Sequence, residues 1–433
     1  MKETKIGIIG FGTVGAGVAE CLLKNGDAIA ARTGVRPVLR RVADLDTVRD
    51  RGVKLPPGVL VNDAALILDD PEIDLVVELV GGTGAAREFI KKALAAGKSV
   101  VTANKALLSK HGAELAELAD KSGADLYFEA AVGGGIPIIK ALREGLAGDR
   151  IVEVAGILNG TCNYILTRME KESAAFDGVL KAAQAAGFAE ADPGLDIDGI
   201  DTAHKAAILA SLAFGDWFGA EQVSVEGIRH VALKDIEYAA WLGYRIKLLA
   251  ILKRAGDEVQ LRVHPALIPC RSLLGHVDGV FNAVWVQGEP IGGTLYYGRG
   301  AGRDATASAV VADIIDCGLN LACGCRGRVP PLRRSPTFTR IQPMSELRSR
   351  YYIRLQVVDR PGVLAQYAGV FRDHNVSIAS VTQKEEANPD HPVPLVIVTH
   401  EANEADTQAA VREIADLDIV SEYPVLLRIE DLA

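Results

Sequence analysis

Between Gly187 and Lys205 the chain reads GFAEADPGLDIDGIDTAHK. Five carboxylates (Glu190, Asp192, Asp196, Asp198 and Asp201) fall within twelve residues, ahead of a lysine inside an apolar helix. Asp201 and Lys205 are four residues apart, so on a helix they share one face. Carboxylates gathered in a pocket hold a cationic amine, and a lysine among them can move a proton. The plainer alternative is a solvated acidic loop followed by an ordinary helical ion pair, a common and weakly stabilising arrangement.

A second group of residues suited to chemistry lies at the N-terminus. Lys5–Ile9 reads as a short apolar strand that runs into Gly10-Phe11-Gly12-Thr13-Val14-Gly15, with a helix predicted over Val14–Lys24. Strand, glycine turn and helix together form the context of a dinucleotide fingerprint. Gly10 permits the tight turn, Gly12 lets a pyrophosphate approach the backbone, and Gly15 lets helix and strand pack closely. The helix N-terminus then turns its N–H groups to the phosphates. Asp44 ends a second predicted strand, Val38–Ala43, where an acid binds the ribose 2′-hydroxyl of NAD. Arg40, Arg41, Arg49 and Arg51 are close enough in sequence for one to meet a 2′-phosphate instead. Both NAD and NADP are therefore expected to serve.

These residues need elements to place them. Further strands are predicted at Leu75–Leu79, Ser99–Thr102 and Leu126–Phe128, with helices at Ala85–Ala96 and Leu107–Ser122 between them. The alternation argues for a parallel, doubly wound sheet. Ligands of such sheets bind beyond the carboxyl ends of the strands. Gly82, Thr83, Asn104 and Lys105 follow such ends, which poises Lys105 toward a cofactor's reactive ring. From Val132 the pattern changes to a glycine turn, Gly133–Pro137, a helix at Ile138–Leu146 and a strand at Ile151–Leu158. That strand leads into Asn159-Gly160-Thr161-Cys162-Asn163 and another helix, at whose start Thr161 is either an N-cap or a ligand contact. Gly298–Gly302 is a glycine turn before a helix at Asp304–Asp316, expected to return to the nucleotide domain. Arg326–Arg350, with four prolines and few periodic apolar positions, reads as a linker. Beyond it the order is βαββαβ, a ferredoxin-like small domain.

The whole chain sets outer bounds. At 433 residues it has room for two or three domains. A net charge of −9, with no basic run, argues against nucleic acid as a partner. The longest apolar runs read as too short to span a bilayer, and the N-terminus lacks the order of a signal peptide. The six cysteines follow no disulfide framework, which fits a reducing, cytoplasmic setting. Cys317, Cys323 and Cys325 are clustered but lack the histidine or tetrad spacing of a zinc site.

The quoted residues resemble homoserine dehydrogenase in its monofunctional form, across the whole chain. The resemblance runs through GFGTVG at Gly10–Gly15, VELVGG at Val77–Gly82, TANKALLS at Thr102–Ser109 and EAAVGGGIPII at Glu129–Ile139. It continues through GILNGTCNYIL at Gly156–Leu166, the acidic stretch, and GRGAGRDATASAV at Gly298–Val310. The C-terminal unit, with DRPGVLA from Asp359, resembles an ACT domain, a small-molecule sensor. The layout implied is a dinucleotide domain over residues 1–130 plus about 298–325, a substrate and dimerisation domain over 131–297, a linker over 326–350 and an ACT domain over 351–433.

What the resemblance implies is the reversible NAD(P)-dependent reduction of L-aspartate 4-semialdehyde to L-homoserine. Lys205 is then the proton donor, Asp201 its neighbour, and Lys105 a partner or alternative acid. Glu190, Asp196, Asp201, Gly160, Thr161 and Gly187 are the substrate residues. The cofactor residues are Gly10, Phe11, Gly12, Thr13, Val14, Gly15, Asp44, Gly82, Thr83, Lys105 and Gly302. Many relatives carry an arginine just before the acid of the second strand, where this chain has Ala43. Glu129, Val132, Gly134 and Ile136 match a monovalent cation site, sodium in the family, made mostly of backbone carbonyls; the alternative is a plain turn. The resemblance further implies L-threonine as an effector at the ACT domain, and a homodimer or homotetramer. Two rival readings remain: a dehydrogenase for another amino acid, and a non-catalytic regulator that binds dinucleotide and amino acid. The NGTCN loop with the DGIDTAHK helix argues against the first, and the presence of both Lys105 and Lys205 against the second.

Overall fold

The computed structural model describes residues 2–383 and 392–432. The chain forms two compact units. One comprises Met1–Val154, Ala203–Val223 and Phe281–Thr337; the other comprises Ala155–Thr202, Ser224–Val280 and Phe338–Ala433.

The first unit holds a six-stranded sheet: β1 (Lys2–Ile9), β2 (Val35–Ala43), β3 (Leu60–Val61), β4 (Leu75–Glu78), β5 (Ser99–Thr102) and β6 (Leu126–Tyr127). Their order is β3-β2-β1-β4-β5-β6, all parallel, so the strand order reverses beside β1. That reversal opens a crevice at the carboxyl ends. β4 and β5 are buried at every residue, as central parallel strands covered on both faces must be. β3 is a two-residue edge strand, too short to leave a period in the sequence.

The helix after the glycine turn spans Thr13–Thr33 and ends on Gly34 at φ 80°. It is longer than the predicted Val14–Lys24: Gly26 sits mid-helix at a modest cost and the helix continues. Arg303–Cys323 is also longer than predicted. At 21 residues it is long and apolar enough to cross a membrane, a reach the apolar runs alone did not suggest. Here it is a core helix: Ala307, Val310, Ile314 and Cys317 pack with Ile6, Ile8 and Val18. Gly17 allows the close approach, since a Cβ there would meet Arg303 Cγ at 2.9 Å and Ala307 Cβ at 3.1 Å.

In the second unit, Tyr244–Ala255 and Glu258–Pro269 pair antiparallel along their whole length. Val420–Ile429 joins Glu258–Pro269 in parallel through Ala266–Arg428 and Leu267–Ile429. Arg348–Val357, Val393–Thr399 and Ile378–Gln383 follow in antiparallel order. Helices Val363–Asp373 and Glu404–Ala415 pack on these strands around Tyr351, Ile353, Phe371 and Val411. This is the expected βαββαβ unit, and its sheet continues into Glu258–Pro269. Part of the stretch read as a linker also carries structure: Arg340–Ile341 pairs with Glu258–Val259, and Gln342 N–H donates to the Val259 carbonyl at 2.8 Å. Two residues between prolines show no period by which sequence could reveal them.

Candidate active site

In the first unit the three glycines of the turn differ in what surrounds them. Gly10 has φ +103°, and a Cβ there would lie 2.7 Å from the Leu79 carbonyl. A Cβ on Gly15 would lie 2.1 Å from the Gly10 carbonyl oxygen. These two are glycine because the fold leaves no room. A Cβ on Gly12 would meet nothing within 4 Å. Its bare backbone faces open space, as a close-approaching phosphate requires. No side chain caps the helix at Gly12, so its first N–H groups, from Thr13 and Val14 onward, are left for a ligand. Gly10 and Gly12 line a cavity of about 650 Å³ together with Ala43, Asp44, Leu79, Val80 and Phe89.

Asp44 sits in that cavity wall with both oxygens engaged. Oδ2 accepts from Phe11 N–H at 2.7 Å, and Oδ1 accepts from Asp46 N–H at 2.9 Å and Arg51 Nη2 at 3.2 Å. The Arg51 guanidinium lies 5.3 Å from the centre of the Phe11 ring. Of the four arginines weighed from sequence, Arg51 is the one paired with Asp44; Arg40 and Arg41 pair with Asp70, and Arg40 also with Glu72. At the ends of β4 and β5, buried Glu78 accepts from Val80 N–H, Gly81 N–H and Thr102 Oγ1 at 2.8, 3.1 and 2.7 Å. Asn104 donates to the Gly82 carbonyl at 2.7 Å and caps the helix Lys105–Ser122. Lys105 is therefore the first residue of a helix anchored to Gly82, with Thr83 next along the chain. Glu78 and Asn104 order this corner; the sequence places Asn104 at a strand end, with the signature of an N-cap, and gives no signal for Glu78.

The candidate cation turn has a different character. Glu129 accepts from Ile139 and Lys140 N–H at 2.8 and 2.7 Å, and its own N–H donates to buried Asp313 at 2.8 Å. Burial pushes the Glu129 carboxyl up to about 7. Burial, with Glu129 beside it, also holds the Asp313 carboxyl well above its usual range. The Glu129 side chain is thus committed to backbone donors. Gly134 takes φ +55°, with the Gly300 carbonyl 2.5 Å from where a Cβ would stand, and Ile136 N–H donates to Gly133 at 2.9 Å. Val132 is fully buried. Among the described residues no three His, Cys, Asp or Glu side chains gather as a metal site. Gly302, at φ +109°, precedes Arg303–Cys323.

In the second unit the five carboxylates separate. Asn159 caps the helix Gly160–Glu172, its Oδ1 accepting from Cys162 N–H at 2.8 Å. Its Nδ2 donates to Asp196 Oδ1 at 2.7 Å and to Asp201 Oδ2 at 3.1 Å. Asp198 pairs with Arg229, whose hydrogen bond and charge hold its carboxyl below the usual range despite burial. Asp192 accepts from Gly194 N–H in a turn at 3.1 Å. Glu190 is exposed, and its carbonyl accepts from Gln184 at 3.0 Å. So Asp196 and Asp201 converge, while the other three point to separate partners or to solvent. The N-cap reading for Thr161 is corrected: Asn159 is the cap, and Thr161 donates to the Phe188 carbonyl at 2.8 Å, next to Gly187 at φ +75°. Tyr164 packs on Phe188 with ring centres 4.7 Å apart. The helix Ile200–Phe214 begins in this unit with Asp201 and continues into the first, where Lys205, one turn further along, is buried.

Comparison with known proteins accounts for nearly the whole chain. The family model described as homoserine dehydrogenase matches residues 137–315, that of its NAD-binding domain 10–129, and that of the ACT domain 351–418. Homoserine dehydrogenase of Neisseria gonorrhoeae is 46% identical over 435 residues, covering 100% of both chains. That of Pseudomonas aeruginosa is 44% identical over 437 residues, with the same coverage. The crystal structure of a homoserine dehydrogenase from Thiobacillus denitrificans superposes with a TM-score of 0.93 at 46% identity, covering 100% of this chain and 99% of that one. A hyperthermophilic archaeal homoserine dehydrogenase in complex with NADPH gives 0.60 at 28% identity, over 73% of this chain and 98% of that one.

Proposed function

The chain belongs to the homoserine dehydrogenase family, and from that premise we propose how its residues divide the work of interconverting L-aspartate 4-semialdehyde and L-homoserine. The activity is NAD(P)-dependent oxidoreduction. The observation that carries the assignment is the convergence of Asp196 and Asp201 on one neutral amide. The amide brings two carboxylates together, and the buried ammonium of the substrate needs carboxylate partners. Gly160, Thr161, Gly187 and the more exposed Glu190 surround the amino acid in this reading.

Lys205, one helical turn from Asp201, donates a proton to the aldehyde oxygen during reduction and takes it back during oxidation. Lys105 stands as its partner or as the alternative acid. When bound, the dihydronicotinamide supplies the hydride. Gly10 to Gly15 hold its pyrophosphate, Gly82, Thr83 and Lys105 its nicotinamide side, and Gly302 completes the set. Asp44 reads the adenosine ribose, while Arg51 beside it offers charge to a 2′-phosphate, so both cofactors serve. Backbone carbonyls of Glu129, Val132, Gly134 and Ile136 hold a sodium ion in this proposal.

The ACT unit, 351–433, is proposed as a sensor for L-threonine. Supporting this, the helix Val363–Asp373 opens on Gly362 at φ 91° without a side-chain cap, leaving N–H groups for a carboxylate. The assembly proposed is a homodimer or homotetramer in the cytoplasm, with the domain layout given from sequence. Because Val420–Ile429 pairs with Glu258–Pro269, removing the ACT unit would strip strands from this sheet. Threonine control is therefore better tested by substitution at Gly362 than by truncation. Homoserine oxidation is followed with NAD and with NADP, each with and without millimolar threonine. No turnover with either cofactor overturns the functional assignment; full activity in threonine overturns only the sensor.

A further inference from the structure

We propose that the Asn282 carboxamide oxygen is a ligand of the monovalent cation at the turn around Gly134; this rests on the cation reading given above and adds a side chain to it. Asn282 is 1% exposed, and among the described residues its Oδ1 has no hydrogen-bond partner. Among the same residues no backbone N–H reaches the carbonyl of Val132 or of Gly134, both buried. Buried acceptors left without donors are costly and rare, so their occurrence in one part of the first unit calls for a guest.

Gly300 brings the side chain and the turn together. A Cβ on Gly134 would lie 2.5 Å from the Gly300 carbonyl oxygen, and a Cβ on Gly300 would lie 2.1 Å from Asn282 Cγ. Only bare backbone at both positions lets the turn, the Gly298–Gly302 loop and the Asn282 amide pack against one another. The strands fix this arrangement. Asn282 pairs with Gly298 where Phe281–Glu289 meets Gly292–Arg299. Gly135 N–H donates to the Arg299 carbonyl at 3.0 Å, which ties the turn to the end of the same strand pair.

The donor set suits one kind of guest. Oxygens with lone pairs and no hydrogens attract a hard cation. Peptide and amide oxygens carry no net charge, and the Glu129 carboxylate is taken up by Ile139 and Lys140 N–H. A neutral set matches a single positive charge, whereas calcium and magnesium sites are built with carboxylates. Water is the competing occupant, since it would donate to the same acceptors. It would do so equally in any salt.

The test melts the full-length parent, Asn282→Leu and Asn282→Asp in sodium chloride and in choline chloride at equal ionic strength. The parent should melt about 2–4 °C higher in sodium, because a ligand bound only by the folded state raises its stability. Leucine keeps the branched shape of asparagine but offers no oxygen, so Asn282→Leu should lose this rise, whatever its stability in choline. Aspartate keeps an oxygen at the same place, so Asn282→Asp should retain the rise. If the leucine variant does not fold, Asn282→Ala carries the same comparison between the two salts. Equal melting of the parent in both salts overturns the cation reading and this inference with it, leaving the acceptors to water. A rise that persists undiminished in the leucine or alanine variant overturns only the role of Asn282, which is then a structural residue. A rise lost in the leucine and aspartate variants alike also overturns that role, because the position then needs the amide N–H and not the oxygen.

Discussion

Two pairs of carboxylates in the second unit are each gathered by a single side chain, and the two gatherers differ in charge. Asn159 holds Asp196 and Asp201 through a neutral amide. Arg428 holds Glu226 through two bonds of 2.7 and 2.9 Å and Glu404 through Nη2 and Nε at 2.5 and 2.9 Å. Tyr351 adds a donor to Glu404 at 2.9 Å. Burial pushes the Glu404 carboxyl up, but the Arg428 hydrogen bonds and charge outweigh it and hold it low. The Arg428 cation offsets one of its two acids, and it is 1% exposed, beside the buried Glu404. It joins the ACT strands to the segment beginning at Glu226. The Asn159 amide brings no charge of its own to the two acids it holds. The two gatherers differ in whether the gathering side chain itself offsets the charge it collects.

The strongest way to break this comparison is at the lysine four residues beyond Asp201. Lys205→Ala should lower turnover by about 10²–10⁴-fold, as losing a general acid does, with cofactor affinity kept. Turnover within a few-fold of the parent would detach the chemistry from this helix. Arg428→Met should act on stability instead. It leaves two carboxylates without their cation, at a cost of about 3–5 kcal/mol in denaturant unfolding. Unchanged stability, or a homoserine KM that rises while stability holds, would reverse the contrast.

Glu129 sharpens the comparison with a carboxylate held by backbone N–H groups alone. Its carboxyl is raised to about 7 by burial, against an ordinary value of 4.5. The folded state therefore binds a proton more tightly than the unfolded chain does. The resulting stabilisation is present below about pH 4.5 and is lost as pH rises through about 7. Relative to Glu129→Gln, which cannot ionise, the parent should lose unfolding free energy across that window. A difference that stays constant with pH would show that the site does not titrate there.

Asp44 lies between the two types, an acid with Arg51 beside it at the cofactor cavity. Asp44→Ser should shift the NADP-to-NAD preference toward NADP by about tenfold, since repulsion of a 2′-phosphate is relieved. If the ratio does not move, Asp44 serves the glycine turn through Phe11 N–H rather than the ribose. The smallest effect should come from Glu190→Gln. An exposed carboxylate contributes about 1 kcal/mol or less, so the homoserine KM should change only a few-fold. A larger change would place Glu190 with Asp196 and Asp201.

Much was legible in the sequence because it depends on a few consecutive residues. The glycine turn after a strand, the alternation that builds a parallel sheet and the βαββαβ order all follow from local periodicity and backbone freedom. So does the presence of an acid-rich segment ending on Lys205. Sequence could not show which of five carboxylates converge, because that depends on Asn159 reaching residues 37 and 42 positions away. Nor could it reveal that Glu226 meets Arg428 across 202 positions, or that Asp44 meets Arg51 rather than another of its neighbouring arginines. Residue types set which charges the chain carries. Tertiary packing decides which of them are neutralised, because Coulomb and hydrogen-bond energies fall off within a few ångströms and only the fold sets those distances.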